Sequence, residues 1–165
     1  KPIREGDPRP PELIDLGHVG EVERVNADFL LGLAGQELIP VIAPVGVDAA
    51  GRTFNINADL VAGAIAGALR AEKLILLTDV AGVLGPDGGV LRELSPDGIR
   101  ELIDGGVATG GMLAKLRSAA AAVAKGVPEV EIAPGRQPRI LRRLLEGEAA
   151  GSVIRPASPT GAPHV

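Results

Sequence analysis

Three apolar runs of strand length set the frame for this chain. LIPVIAPVG (38–46), EKLILLTD (72–79) and VPEVEIAPG (127–135) are rich in aliphatic residues, as strands buried on both faces are. Between them lie longer stretches of alanine, glycine and aliphatic residues that suit helices. Strands that alternate with helices are joined by crossovers, which predicts an α/β fold with a mainly parallel sheet covered by helices. Sheets of this kind bind ligands beyond the C-terminal ends of their strands. Those ends fall here after Pro44, Leu77 and Ile132.

The finer reading places turns and caps. Residues 1–11 are charged and proline-rich and read as a loop. ELIDLGHVGEVERV (12–25) holds two short alternating runs around Gly17 to Gly20 and reads as a β-hairpin. Asn26 is a predicted N-cap before ADFLLGLAGQ. VDAAGRTFN (47–55) reads as a turn-rich loop, followed by a helix over about 58–71. VAGVLGPDGGVLREL reads as a glycine-rich hairpin with Asp-Gly turn chemistry. Ser95-Pro96 combines an N-cap with proline at the first helical position. A helix over about 111–125, a strand in VPEVEIAPG, a helix in PRILRRLLEGE and a last strand in GSVIRP follow. SPTGAPHV (158–165) reads as a disordered tail.

Composition removes several function classes. The 165 residues suit one α/β domain, or one domain with part of another. Aromatics make up 1% of the chain, so the core must be aliphatic. The net charge is −4, and no Lys/Arg stripe interleaves with aromatics, which speaks against nucleic-acid binding. With no cysteine, disulfides and thiolate metal sites are excluded. His18 and His164 are the only histidines, too few for a His-based zinc site or a Ser-His-Asp triad. No run reads as a membrane span or signal peptide, so the expectation is a cytoplasmic protein without a membrane partner. The opening KPIREGDPRP lacks methionine and leads directly into patterned sequence, as a piece of a longer protein would.

Three constellations carry possible chemistry. In FNINAD (54–59), Asn57 can cap the following helix and Asp59 can face its positive end. Capping alone leaves Asn55 unexplained. Asn55 and Asn57 lie two apart and share a face in an extended segment, so both could hold a polar substrate. Gly63 and Gly67, four apart in the helix behind, suggest close packing rather than chemistry. Thr78-Asp79 ends a predicted strand, where nucleotides often sit, although a hairpin start explains it as well. Neither G-x-G nor a Gly-Lys pair occurs, which disfavours dinucleotide and P-loop readings. Last, GGVATGGMLAK (105–115) runs a glycine-rich loop into a helix start, a potential anion site. Lys115 leans back toward that start. There it either opposes the dipole as a solvated cation or meets a phosphate. Lys73, Arg92, Lys125 and the Arg142-Arg143 pair read as ordinary solvated charges. Together these parts suit phosphoryl transfer, which needs charge neutralisation and positioning.

The run from LIPVIAPVG through FNINAD to LLTDVAGVL, followed by TGGMLAKLRSAAAAVAKGV, closely resembles acetylglutamate kinase of the amino acid kinase family, over about residues 12–155. The resemblance implies a three-layer αβα sandwich with a mainly parallel sheet. It implies phosphorylation of the γ-carboxylate of N-acetyl-L-glutamate by ATP with Mg2+, in arginine biosynthesis, by a homo-oligomer. By position, Asn55 and Asn57 would hold the acetylglutamate. Asp59 would orient catalytic lysines, and Lys115 would stabilise the transferring phosphoryl group. Thr78, Asp79, Gly110, Gly111 and Met112 match nucleotide-site positions.

The chain also departs from the family pattern. The family's first strand, with its second catalytic lysine and Gly-Gly turn, its glycine-rich acceptor loop and its substrate-binding arginine are not in this sequence. The fold is therefore expected to be incomplete at the N-terminus. Residues 1–71 would be the remaining acceptor lobe, 72–157 the ATP-binding lobe and 158–165 a tail. Little or no catalysis is expected from this chain alone. Arginine-inhibited members carry a histidine where this chain has Arg139, while Glu148 and Gly151 match further positions of that pattern.

Overall fold

A computed structural model describes residues 18–157. The predicted loop over 1–11, the first half of the 12–25 hairpin and the 158–165 tail lie outside the described residues. The first helix, α1 (Ala27–Ala34), starts where Asn26 accepts the Phe29 N–H at 3.2 Å. Next come β1 (Val45–Val47) and β2 (Thr53–Asn55), an antiparallel pair. Asp48 builds their turn by accepting the N–H groups of Ala50 and Arg52, each at 2.9 Å. Residues 47–55 are thus a hairpin with short strands on both sides, where sequence suggested only a loop.

The remaining elements are α2 (Ala58–Leu69), β3 (Leu74–Thr78), β4 (Glu93–Leu94), α3 (Pro96–Asp104), α4 (Gly110–Ala124), β5 (Val130–Pro134), α5 (Ile140–Leu145) and β6 (Ser152–Ile154). Four strands form one sheet in the order β3-β5-β6-β4. β3 and β5 are parallel, as are β4 and β6, while β5 and β6 are antiparallel. Between β3 and β4, Leu84 and Val90 form an antiparallel bridge around the predicted Asp-Gly turn.

Alternation along the strands sorts side chains onto two faces. Leu74 and Leu76 of β3, Val130 and Ile132 of β5 and Ile154 of β6 join Ala66 of α2, Ile99 and Leu102 of α3, and Leu116, Ala119 and Val123 of α4 in one buried cluster. On the opposite face, Ala133 and Ile75 pack against Ile140 and Leu144 of α5. Helices on both faces of a mainly parallel sheet give the three αβα layers. Ser95 caps α3 as predicted, accepting the Gly98 N–H at 3.2 Å with Pro96 in the first turn.

Two further predicted elements differ. LIPVIAPVG does not form a buried strand: only its end joins β1, and Ile39 and Val41 are 89% and 95% exposed. An apolar run becomes a buried strand only when neighbours cover it, and among the described residues no strand lies against 38–44. The described half of the 12–25 hairpin also takes another form. Val19 makes a parallel bridge to Asn55; the His18 carbonyl accepts the Asn55 N–H at 2.7 Å, and the Gly20 N–H donates to the Asn55 carbonyl at 3.1 Å. That segment therefore pairs with β2, and residues 21–25 form no strand.

Candidate functional site

Short connections decide where the predicted site residues meet. Residues 70–73 join α2 to β3, and residues 125–129 join α4 to β5. Each helix must double back on the strand it feeds. Because β3 and β5 are parallel, α2 and α4 are parallel too. The contacts agree: Asp59 meets Lys115 and Ser118, Gly63 meets Ser118, and Gly67 meets Lys125. Both helix N-termini therefore lie at the end of the sheet where β3 finishes at Thr78 and β5 at Pro134.

At the entrance to α2, Ile56 is buried while Asn55 and Asn57 on either side are exposed. The alternation puts the two asparagines on the face away from the core. Asn57 caps the helix: its Oδ1 accepts the N–H groups of Asp59 at 2.9 Å and Leu60 at 3.3 Å. The Asn55 N–H and carbonyl both go to the His18–Gly20 segment, and Val45 lies opposite Asn55 on the other edge.

Within the first turn of α2, the Asp59 carboxylate reaches α4. Its Oδ1 lies 2.7 Å from Lys115 Nζ, and the two side chains are 20% and 16% exposed. The ion pair is thus partly shielded from water, where attraction is stronger than at an open surface. The Ser118 hydroxyl, one turn beyond Lys115, donates to the Asp59 carbonyl.

The entrance to α4 is open by contrast. Thr109 is extended and makes no side-chain cap, and the first turn carries no acidic residue. Gly110 has φ +53, a left-handed conformation that favours glycine, and nothing lies within 4 Å of where a Cβ would sit at Gly110 or Gly111. The result is a bare, glycine-lined helix start with N–H groups at its positive end, a geometry that suits an anion. Met112 turns inward and packs against the main core. At the end of β3, the Thr78 hydroxyl donates to Asp79 Oδ1 at 3.4 Å, and the Thr78 carbonyl accepts the Gly135 N–H at 2.7 Å.

Several charges differ from their reading as solvated. Lys73 bridges two carboxylates of β5 and its approach, Glu129 at 2.7 Å and Glu131 at 3.2 Å. Glu131 is buried. Arg155 adds a second cation to Glu129 at 2.6 Å. The Lys73 hydrogen bond holds the Glu129 carboxyl below the ordinary glutamate range, and Glu129 in turn raises Lys73. Arg92 donates to the Gly151 carbonyl at 3.3 Å, and Arg143 pairs with Glu148. Ser118 escaped the sequence reading altogether; its one visible signal was proximity to Lys115 at helical spacing.

Among the described residues, no group of three or more acidic, histidine or cysteine side chains could hold a metal ion, and no helix is long and apolar enough to cross a membrane. An open cavity of about 1130 Å³ lies beside α1 and the β1–β2 hairpin, lined by Val25, Phe29, Val41, Val45 and Phe54. Asp59 and Lys115 are not on its wall.

Residues 2–134 match the amino acid kinase family. The chain is 47% identical over 150 residues to an acetylglutamate kinase of Sulfurihydrogenibium sp. (strain YO3AOP1), covering 90% of this chain and 50% of that protein. The chain spans about half the length of the curated relatives it matches. A crystal structure of a Streptococcus mutans UA159 protein superposes with a TM-score of 0.72 at 37% identity, over 84% of this chain and 51% of that one. N-acetylglutamate synthase from Neisseria gonorrhoeae, complexed with coenzyme A and N-acetyl-glutamate, superposes with a TM-score of 0.78 at 28% identity, over 91% of this chain and 36% of that one.

Proposed function

The chain belongs to the amino acid kinase family, and on that premise we propose that it contributes to an acetylglutamate kinase. The reaction would move the γ-phosphoryl group of ATP to the γ-carboxylate of N-acetyl-L-glutamate, as a step of arginine biosynthesis. A carboxylate oxygen forms the new bond to phosphorus. The bond from phosphorus to the β,γ-bridging oxygen breaks, and ADP leaves with that electron pair. The products are ADP and an acyl phosphate. A cytoplasmic homo-oligomer is part of the same proposal.

The observation that carries this reading is the Lys115–Asp59 pair at 2.7 Å, set at the shared end of two parallel helices. Phosphoryl transfer through a loose transition state is catalysed by positioning and by charge on the phosphoryl oxygens. Lys115 is the residue assigned to that charge. Asp59 is assigned to hold its ammonium in place without taking a proton. The Gly110–Gly111 turn, open and with no acidic residue in the first turn of its helix, fits a nucleotide phosphate, with Thr78 and Asp79 assigned to the nucleotide from the strand end. Met112 is assigned a supporting part, through the packing of α4. Asn55 and Asn57 are assigned to the acetylglutamate. Magnesium would be carried largely by phosphate oxygens and water, the usual way it enters nucleotide sites. In this reading residues up to 71 belong to the acceptor lobe and 72–157 to the ATP lobe, with α2 packing across the division.

The test has two parts. Calorimetric titration of MgADP into the chain should show binding near one to one. The protein that carries this chain should trap acyl phosphate as hydroxamate only when acetylglutamate and ATP are both present. Nucleotide binding with hydroxamate from another acid substrate would overturn the substrate assignment. No binding by a folded sample would overturn the nucleotide assignment.

A further inference from the structure

The geometry points to Ser118 as a positioning residue for the Asp59–Lys115 pair, an inference that rests on the kinase reading above. Ser118 is 1% exposed and sits one helical turn after Lys115 on the same helix. Its hydroxyl donates to the main-chain carbonyl of Asp59. Asp59 is therefore gripped twice by α4, through its carboxylate by Lys115 and through its backbone by Ser118.

The two grips do different things. An ion pair alone leaves a long lysine free to swing about the carboxylate, since its ammonium is a flexible point charge. The backbone grip fixes the first turn of α2 against α4, so the carboxylate is presented at one height along the lysine. Gly63 makes that closeness possible: a Cβ there would lie 3.0 Å from the Ser118 carbonyl oxygen. Buried hydroxyls need partners, and this one reaches across 59 positions of sequence to the residue that holds Lys115. A small error in the placement of a charge can cost much of its effect on a transition state.

Ser118→Ala removes one oxygen and adds no bulk. In the protein, it is expected to lower kcat about three- to tenfold while the KM for ATP stays within about twofold. The ammonium 15N–1H signal of Lys115, assigned by its loss in Lys115→Ala, should broaden in Ser118→Ala. Ser118→Ala added to Lys115→Ala should lower the residual turnover no further, because it acts through the same pair. An unchanged kcat, or an equal fall in the Lys115→Ala background, overturns the proposal. If the unaltered protein binds MgADP but phosphorylates no acetylglutamate, the kinase reading fails instead. The Lys115 signal then decides the role of Ser118 by itself: broadening upholds it and an unchanged signal overturns it.

Discussion

Gly63 of α2 lies directly against Ser118 of α4, so close that a methyl group at position 63 would sit 3.0 Å from the Ser118 carbonyl oxygen. Backbone cannot move aside as a flexible side chain can. Gly63→Ala is therefore expected to push the helices apart and cost about 1–3 kcal/mol, although alanine is the better helix former. Thermal denaturation checks the sign: a raised melting temperature would mean the helices do not meet as described. Gly67 is held in a similar way: the outer carbons of Lys125 can rotate aside, but its Cβ, 2.9 Å from where a Cβ at position 67 would sit, is fixed by the backbone of the residue after α4.

Lys115→Ala is expected to lower kcat about 10²- to 10³-fold while changing MgADP affinity far less. Asp59→Ala should follow it in direction, and the double variant should fall short of the product of the two effects. Steady-state kinetics with acetylglutamate, paired with MgADP titration, separates the two quantities. Equal losses in kcat and nucleotide affinity would assign Lys115 to ground-state binding.

Gly110→Ala places a side chain at φ +53, where an L-residue costs roughly 1–2 kcal/mol. The strain falls on the loop that opens α4, away from the buried cluster. MgADP affinity should drop about tenfold, while the strain alone lowers the melting temperature by only a few degrees. Calorimetry against a thermal melt reads both, and an unaltered affinity would remove this turn from the nucleotide site.

The caps at Asn26, Asn57 and Ser95 were legible because each signal is local, a side chain and an N–H two or three residues on. The packing glycines of α2 were legible because glycine in a helix has a cost that needs a reason. Ser118 was not, since its partner is Asp59, distant in sequence. Lys73 was misread for the same cause. Its carboxylates come beside it only through the register that pairs Leu74 with Val130. The run over 38–46 was misread differently. Its apolar character was plain, but burial is a property of neighbours, and Ile39 and Val41 have few.

The Lys73 cluster predicts a pH profile. Glu129 is held below its ordinary value of 4.5 in the folded chain, so its stabilisation is present above that value and fades as pH falls through the lower folded one. Lys73 is raised above 10.5, so its stabilisation is full below that value and fades as pH rises past it toward the higher folded one. Melting temperature should be flat between these limits and fall on both sides. Glu129→Gln should blunt the acid limb, and an unchanged limb would show that other carboxylates govern it.

Lys73→Met leaves the buried Glu131 without its cation and should destabilise the chain by about 3 kcal/mol. Adding Glu131→Gln should recover much of that loss. Urea denaturation of the single and double variants measures both, and a double variant as weak as the single would place the cost elsewhere.

Parallel α2 and α4 also bear on how a chain of net charge −4 could attract polyanions. Each helix start behaves as roughly half a positive elementary charge, and here the two share one end of the sheet. That field is made of peptide dipoles fixed by the fold, so it needs no rearrangement when a phosphate arrives. It is short-ranged, and salt would screen approach from afar more than contact. From afar a nucleotide meets the net negative charge, so encounter should quicken as ionic strength rises, while the rate of departure changes little.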